Sequence, residues 1–279
     1  MRPLGVHVSI SGGIHRALER GEDLGCTAVQ IFSHNPRGWA VKPLNTDHVS
    51  EFRALRTRFN IHVVIHASYL INLAAASSEL REKSVALMKI EMDRADVLGS
   101  DHVVLHPGRA TGQTIQDALS RAADSLNLLG RFGPWKARIL LENTGGARGD
   151  ITSRMAELGE LAAKTDPNLL GGVCLDTCHV HTAGYDLRQE HHFRSLVSQV
   201  KEHIGLEKVK LIHLNDSKSL AGSGLDRHEH IGEGSIGEQA LARLVNYRGL
   251  RQVPLILETP QDSEEDDRRN LRRVQSFLS

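Results

Sequence analysis

The chain has 279 residues, of which 40% are hydrophobic and 24% charged, with 34 basic side chains balanced by 34 acidic ones. No apolar run approaches the roughly eighteen residues of a membrane span, and the composition excludes both a disordered polymer and a small disulfide-stapled scaffold. A formally neutral chain has no whole-molecule field that would announce a nucleic-acid partner. Three cysteines, Cys26, Cys174 and Cys178, cannot all pair, which points to a reducing, cytoplasmic setting. The opening MRPLGVHVSI reads as a strand and lacks the charged-then-apolar layout of a secretion signal.

In chain order, short β-branched and apolar runs alternate with longer stretches of helical period. Strands are predicted over 4–9, 28–32, 61–66 and 102–106, followed respectively by helices over 13–23, 47–58, 78–98 and 114–129. The second half repeats the rhythm, with strands over 138–142, 173–176, 209–215 and 253–258 and helices over 152–164, 187–203, 236–245 and 263–278. In the helix over 78–98, Leu80, Leu87, Ile90 and Val97 form the expected buried stripe and Ser78 the expected cap. The last helix opens on Glu264, Glu265, Asp266 and Asp267 and closes with Arg272 and Arg273, an order that suits the helix dipole. Eight strands, each followed by a helix, is the count of an α/β chain closed into a (β/α)8 TIM barrel. An open doubly wound sheet fits the same rhythm, but no glycine fingerprint follows the first strand. Nothing in composition marks a linker, so one domain is expected over 1–279.

The active site of such a barrel lies at the C-terminal ends of its strands, so the residues where each strand stops carry the functional signal. Those residues are His66, His106, Glu142, Asp176, His213 and Glu258, with His179 three residues beyond Asp176 and a D-x-H pair, Asp226 and His228, in the loop after the seventh strand. Imidazoles and carboxylates together are the donor set for zinc, manganese or iron, and nine of them on one rim would repel one another or go unsatisfied without cations. Nine donors also exceed the needs of one or two ions, which makes three sites the natural count. His7 reads either as a hydrogen-bond partner of these donors or as a core residue. Cys178 is an alternative thiolate donor, and Cys174 reads as strand packing. Arg37, Lys42, Arg109, Arg148, Lys218 and Arg227 fall in strand-end loops, where they either touch phosphates or are solvated.

The segments HASYLINL, HPG, LENT, CLDTCH with AGYD, HLNDSK, DRHEHIGEG and LETP, in this order across residues 66 to 260, resemble those of the endonuclease IV family of apurinic/apyrimidinic (AP) endonucleases. The resemblance implies a TIM barrel that holds three zinc ions and cleaves DNA on the 5′ side of abasic sites, leaving a 3′-hydroxyl and a 5′-deoxyribose phosphate. It further implies that Glu142 bridges two zincs and positions the attacking hydroxide. One bridged zinc also takes His66 and His106, the other Asp176, His213 and Glu258, and the third takes His179, Asp226 and His228. Arg37, in SHNPRGW, and Tyr69 with Leu70, in SYLIN, resemble the side chains that the family pushes into the duplex, and Asn35 shares the loop of Arg37. The chain departs from the family pattern at Gly38 and over GGARGD (residues 145–150).

Selectivity on this reading comes from the missing base, because an unstacked, unpaired nucleotide leaves the helix more cheaply than an intact one. A monomer is expected, since the duplex has to lie across the open rim. Two other readings use part of the same residue set. A sugar isomerase with one or two divalent ions would employ Glu142, Asp176, His213 and Glu258 but leave the other five donors idle. A non-catalytic DNA-damage binding module would keep Arg37 and Tyr69 but gain nothing from the acids.

Overall fold

Alternation along eight strands builds the molecule. Each strand residue faces either the barrel interior or the surrounding helices, and both environments are apolar over most of the strand length. In the computed structural model, which describes residues 2–261, 263 and 265–278, the barrel strands are β1 (Leu4–His7), β2 (Ala28–Phe32), β3 (His62–His66), β4 (His102–Leu105), β5 (Arg138–Glu142), β6 (Leu170–Asp176) and β7 (Val209–His213), closed by β10 (Leu255–Leu257). All pair in parallel, in the order β1-β2-β3-β4-β5-β6-β7-β10, and β10 returns to β1 through Leu4–Leu255, Gly5–Ile256 and Val6–Leu257. The fold is therefore the TIM barrel that the strand count predicts.

The helices are α1 (Arg16–Asp23), α2 (Thr46–Phe59), α3 (Ser78–Leu98), α4 (Ile115–Gly130), α5 (Met155–Lys164), α6 (Thr177–Thr182), α7 (Glu190–His203), α8 (Glu238–Val245) and α9 (Asp266–Phe277). Three features are not in the sequence reading: the short α6, a 3-10 turn at Leu206–Lys208, and a two-stranded antiparallel ribbon of β8 (Asp216–Ser217) and β9 (His228–Glu229). Each is too short to show a period of its own.

One set of strand residues, including Val6, Val29, Ile31, Val63, Ile65, Val103, Ile139, Leu141, Leu175 and Ile212, packs outward under the helices. The opposite phase fills the barrel with a separate plug of Ala28, Val64, Val104, Leu140, Cys174, Leu211 and Ile256. In the remaining strand, β1, the interior position is Gly5, where a Cβ would lie 1.6 Å from the carbonyl oxygen of Ala28, so no side chain fits there.

Helix α3 corrects two expectations. Ser77, not Ser78, is the cap, accepting a hydrogen bond from Leu80 N. The buried face runs through Ser84, Val85, Leu87, Met88, Glu91, Met92, Ala95 and Leu98, whereas Ile90 and Val97 are exposed. Apolar residues lie around most of this helix, and two buried polar groups help to choose the face. Ser84 Oγ donates to Leu80 O and accepts from Asn72 N, and the Glu91 carboxylate accepts from Ser33 Oγ and Ser68 N. Turning either group to solvent would break these bonds inside the protein. In α9, Arg272 and Arg273 lie before the last turn and pair with Glu265 and Glu238 rather than with the helix end. Glu264, expected in its first turn, lies outside the described residues.

Leu140→Ala removes a fully buried side chain and should destabilise the protein by about 2–5 kcal/mol. Leu128→Ala, on the exposed side of α4, should stay within about 0.5 kcal/mol. Urea unfolding midpoints of the two variants measure the difference.

Candidate metal centre

Two residues beyond each inward position of the plug layer, the strands present the next inward layer. That layer is His7, Gln30, His66, His106, Glu142, Asp176, His213 and Glu258, standing above Gly5, Ala28, Val64, Val104, Leu140, Cys174, Leu211 and Ile256 in turn. A polar ring thus caps an apolar plug. His66, Glu142, Asp176 and His213 end their strands, while His106 and Glu258 follow immediately after theirs. His179 stands on α6, and Asp226 and His228 come from the loop that closes into the ribbon.

The nine predicted donors converge. His66, His106 and Glu142 form one group in which donor atoms lie within 4.8 Å of one another; Glu142, Asp176, His213 and Glu258 form a second, and His179, Asp226 and His228 a third. Glu142 belongs to two of them: its Oε2 lies 3.0 Å from His106 Nε2 and 3.5 Å from His66 Nε2, and its Oε1 lies 2.8 Å from His213 Nδ1. In the third group, Asp226 Oδ2 is 3.0 Å from His179 Nε2 and Oδ1 is 3.1 Å from His228 Nε2. Cys178 also reaches the centre, grouped with Asp176 and His228. His181 and His230 do not: His181 Nε2 meets Ser235 Oγ, and His230 Nδ1 meets Asn270.

The donor set fits divalent cations. Glu142 Oε2 is fully buried and accepts no hydrogen bond, and His228 Nε2 makes none, although charged or polar neighbours stand around both. Buried polar atoms are ordinarily satisfied, and a carboxylate oxygen and an imidazole nitrogen that both face a shared centre are satisfied by a metal ion. Three of the imidazoles turn Nε2 inward because Nδ1 is committed to a main-chain carbonyl: His66 to Ala67 O, His179 to Asn143 O and His228 to Glu258 O, at 2.8–2.9 Å. Burial alone would raise the carboxyls and lower the imidazoles. Opposite charges outweigh it: His106 and His213 hold Glu142 well below the ordinary carboxylate range, His179 and His228 do the same to Asp226, and Asp226 lifts His228 to about 9.

Sequence reasoning missed the residues that hold these donors in place. Asn215 Nδ2 donates to Asp176 Oδ2 at 2.6 Å while its Oδ1 accepts from Glu258 N, and Asn143 brackets the Asp176 main chain. The buried Asp216 carboxylate accepts from the backbone of Ser217, Gly232, Gly234, Ile236 and Gly237, closing the loop that carries Asp226 and His228. Asn143, Asn215 and Asp216 stand beside donors in LENT and HLND, which is the one signal that could have found them.

A cavity of about 630 Å³ opens above His106, His179 and Asp226, walled by Tyr69, Arg109 and Arg227. Tyr69 is 60% exposed and stacks edge-on against Phe32. Leu70 is half-buried against the core, so of this pair only Tyr69 is exposed. Asn35 and Arg37 are exposed but line no part of this cavity; Asn35 Oδ1 accepts from Arg37 N and shapes their turn. The two loops are joined, since Ser68 Oγ donates to Pro36 O at 2.7 Å and both reach Glu91 through Ser68 N and His34. Lys42, Arg148 and Lys218 are exposed as expected. Arg109 is already engaged with Asp150 at 3.0 Å. The departure over 145–150 is a tight turn, with Gly146 and Gly149 at positive φ and Asp150 accepting from Gly146 N and Ala147 N.

Residues 18–278 match the family model described as a xylose isomerase-like TIM barrel. A probable endonuclease 4 of Halothermothrix orenii is 42% identical over 266 residues, covering 94% of this chain and 95% of that protein. Another from Chloroflexus aurantiacus is 40% identical, with 100% and 99% covered. The crystal structure of endonuclease IV from Thermus thermophilus superposes with a TM-score of 0.87 at 39% identity, covering 99% of this chain and 98% of that one.

The raised imidazoles set the pH dependence of metal uptake. Below about 9, His228 in the cation-free protein carries a proton that an incoming cation displaces. Zinc uptake should therefore release protons, and apparent affinity should rise with pH, by about tenfold per unit for each proton displaced, with the contribution of His228 ending above about 9. Calorimetric titration in buffers of different ionisation enthalpy counts those protons; zero release would contradict the assignment.

Proposed function

This chain belongs to the endonuclease IV family of the xylose isomerase-like TIM barrels, and from that membership we propose that it is a DNA-repair hydrolase that cuts the phosphodiester 5′ to abasic sites in duplex DNA. The observation that carries the reading is the sharing of Glu142 between two donor groups, with a third group beside them, next to a cavity that His66, His106, His179 and Asp226 line. A sugar isomerase would leave His66, His106, His179, Asp226 and His228 without employment.

Three zinc ions, when bound, would supply Lewis acidity toward the phosphate and activate water at neutral pH. The protein's part is to place them and the substrate. Glu142 holds two of the sites in fixed relation, His66 and His106 complete one, Asp176, His213 and Glu258 the other, and His179, Asp226 and His228 form the third. Three dications would outweigh the four carboxylates and leave the centre positive, which would suit a phosphodiester. Tyr69, with Arg37 and Asn35 on the adjoining loop, would occupy the space left by the extruded nucleotide, and Leu70 supports Tyr69 from below. Arg109 and Arg227 face the cavity and would contact backbone phosphates. The products are a 3′-hydroxyl and a 5′-deoxyribose phosphate. The open rim suits a monomer lying along one face of the duplex.

Incision of an oligonucleotide duplex with one abasic site tests the activity directly. Glu142→Gln should lower the rate by at least about a hundredfold and disturb two zincs, with folding kept; cutting at the normal rate would refute the assignment. Arg37→Ala should leave zinc content unchanged and weaken the preference for abasic over intact duplex by about tenfold, near 1.4 kcal/mol. Binding titrations on both duplexes give that ratio.

A further inference from the structure

The polar ring contains one amide. Gln30, on β2, is fully buried and makes three contacts with the ring. Its Nε2 lies 2.6 Å from Glu258 Oε1 and 3.0 Å from His7 Nδ1, and its Oε1 lies 2.8 Å from His213 Nε2. Glu258 settles which end of the amide points where. A carboxylate accepts only, so the atom facing it is the NH2. The carbonyl oxygen therefore faces His213, and His213 must carry a hydrogen on Nε2.

That hydrogen decides how His213 meets the centre. With Nε2–H given to Gln30, Nδ1 is the atom turned toward Glu142 Oε1 at 2.8 Å, Glu258 Oε2 at 3.3 Å and Asp176 Oδ2 at 3.9 Å. His66, His179 and His228 are oriented the opposite way, each through Nδ1 and a main-chain carbonyl that no substitution of the partner removes. His213 alone among these four depends on a side chain.

We propose that Gln30 is a positioning residue for the cation held by Glu142, Asp176, His213 and Glu258: its amide keeps a hydrogen on His213 Nε2, which leaves Nδ1 as the nitrogen given to the ion, and it steadies Glu258, so that both present their free atoms to the same ion. The inference rests on the metal reading above. Outer partners of this kind are worth about 10–100-fold in metal affinity, and the site most affected is the one in which two of the four donors touch Gln30.

The test uses zinc alone. Zinc-loaded wild type, Gln30→Met, Gln30→Glu and His213→Ala are dialysed against a graded chelator and the zinc remaining per chain is counted. Nitrogen NMR of the His213 ring reports which nitrogen bears hydrogen. Gln30→Met, of similar volume, removes donor and acceptor together. Gln30→Glu keeps the acceptor but can no longer donate to Glu258 when ionised, and it carries the test if the methionine variant does not fold. One zinc should leave at a chelator strength about 10–100-fold lower than in wild type, with the remaining zinc leaving as in wild type, and the Nε2–H signal should be lost in Gln30→Met. A merely structural defect would loosen every zinc together and leave the tautomer alone, and that outcome overturns the proposal. So does release of all zinc in step with wild type from a folded variant. If His213→Ala and wild type hold the same zinc, the metal reading itself has failed, independently of Gln30.

Discussion

The two-residue period of a β-strand, applied in register to eight parallel strands, is the constraint on which the rest of this molecule depends. It assigns each strand one inward position at the level of the apolar plug and one a layer higher. Because all eight strands run the same way, every upper position lies on the same rim. Seven of those positions are imidazoles or carboxylates and the eighth is Gln30. A single antiparallel strand would have sent its donor to the opposite end of the barrel.

A ring of this kind is costly to bury without compensation. In the cation-free molecule the compensation is internal: against the effect of burial, opposite charges hold Glu142 and Asp226 below the ordinary carboxylate range and lift His179 and His213 above the ordinary imidazole value. The arrangement is incomplete, as the unsatisfied Glu142 Oε2 and His228 Nε2 show. The donors are fixed from outside by main-chain carbonyls, by Asn143 and Asn215, and by Gln30, so their free atoms face one centre before any cation arrives. Such preorganisation limits the reorganisation that binding demands.

The loops above the ring are held by buried acids. Asp216 gathers five backbone amides and shapes the segment bearing Asp226 and His228. Glu91, on α3, ties the Arg37 and Tyr69 loops to one helix and, through Ser68, to each other. An ionised carboxylate offers several acceptor positions and can organise backbone donors from distant parts of a loop. Each loop thereby acquires rigidity that exposed residues could not provide.

The sequence by itself determined the alternation of strands and helices, the closed barrel and the chemical character of its rim, because these follow from local period and from donor types placed at strand ends. The spans 28–32, 78–98 and 138–142 agree with the structure to the residue. Tertiary structure alone decided which face of α3 is buried, since Ser84 and Glu91 find partners only when distant loops arrive. It likewise decided the turn of each imidazole, because a ring's free nitrogen is chosen by whatever meets the other one. Gln30 shows the boundary between the two. Its phase in AVQIF places it in the ring, but its role exists only where His7, His213 and Glu258, brought from three other strands, close around the same amide.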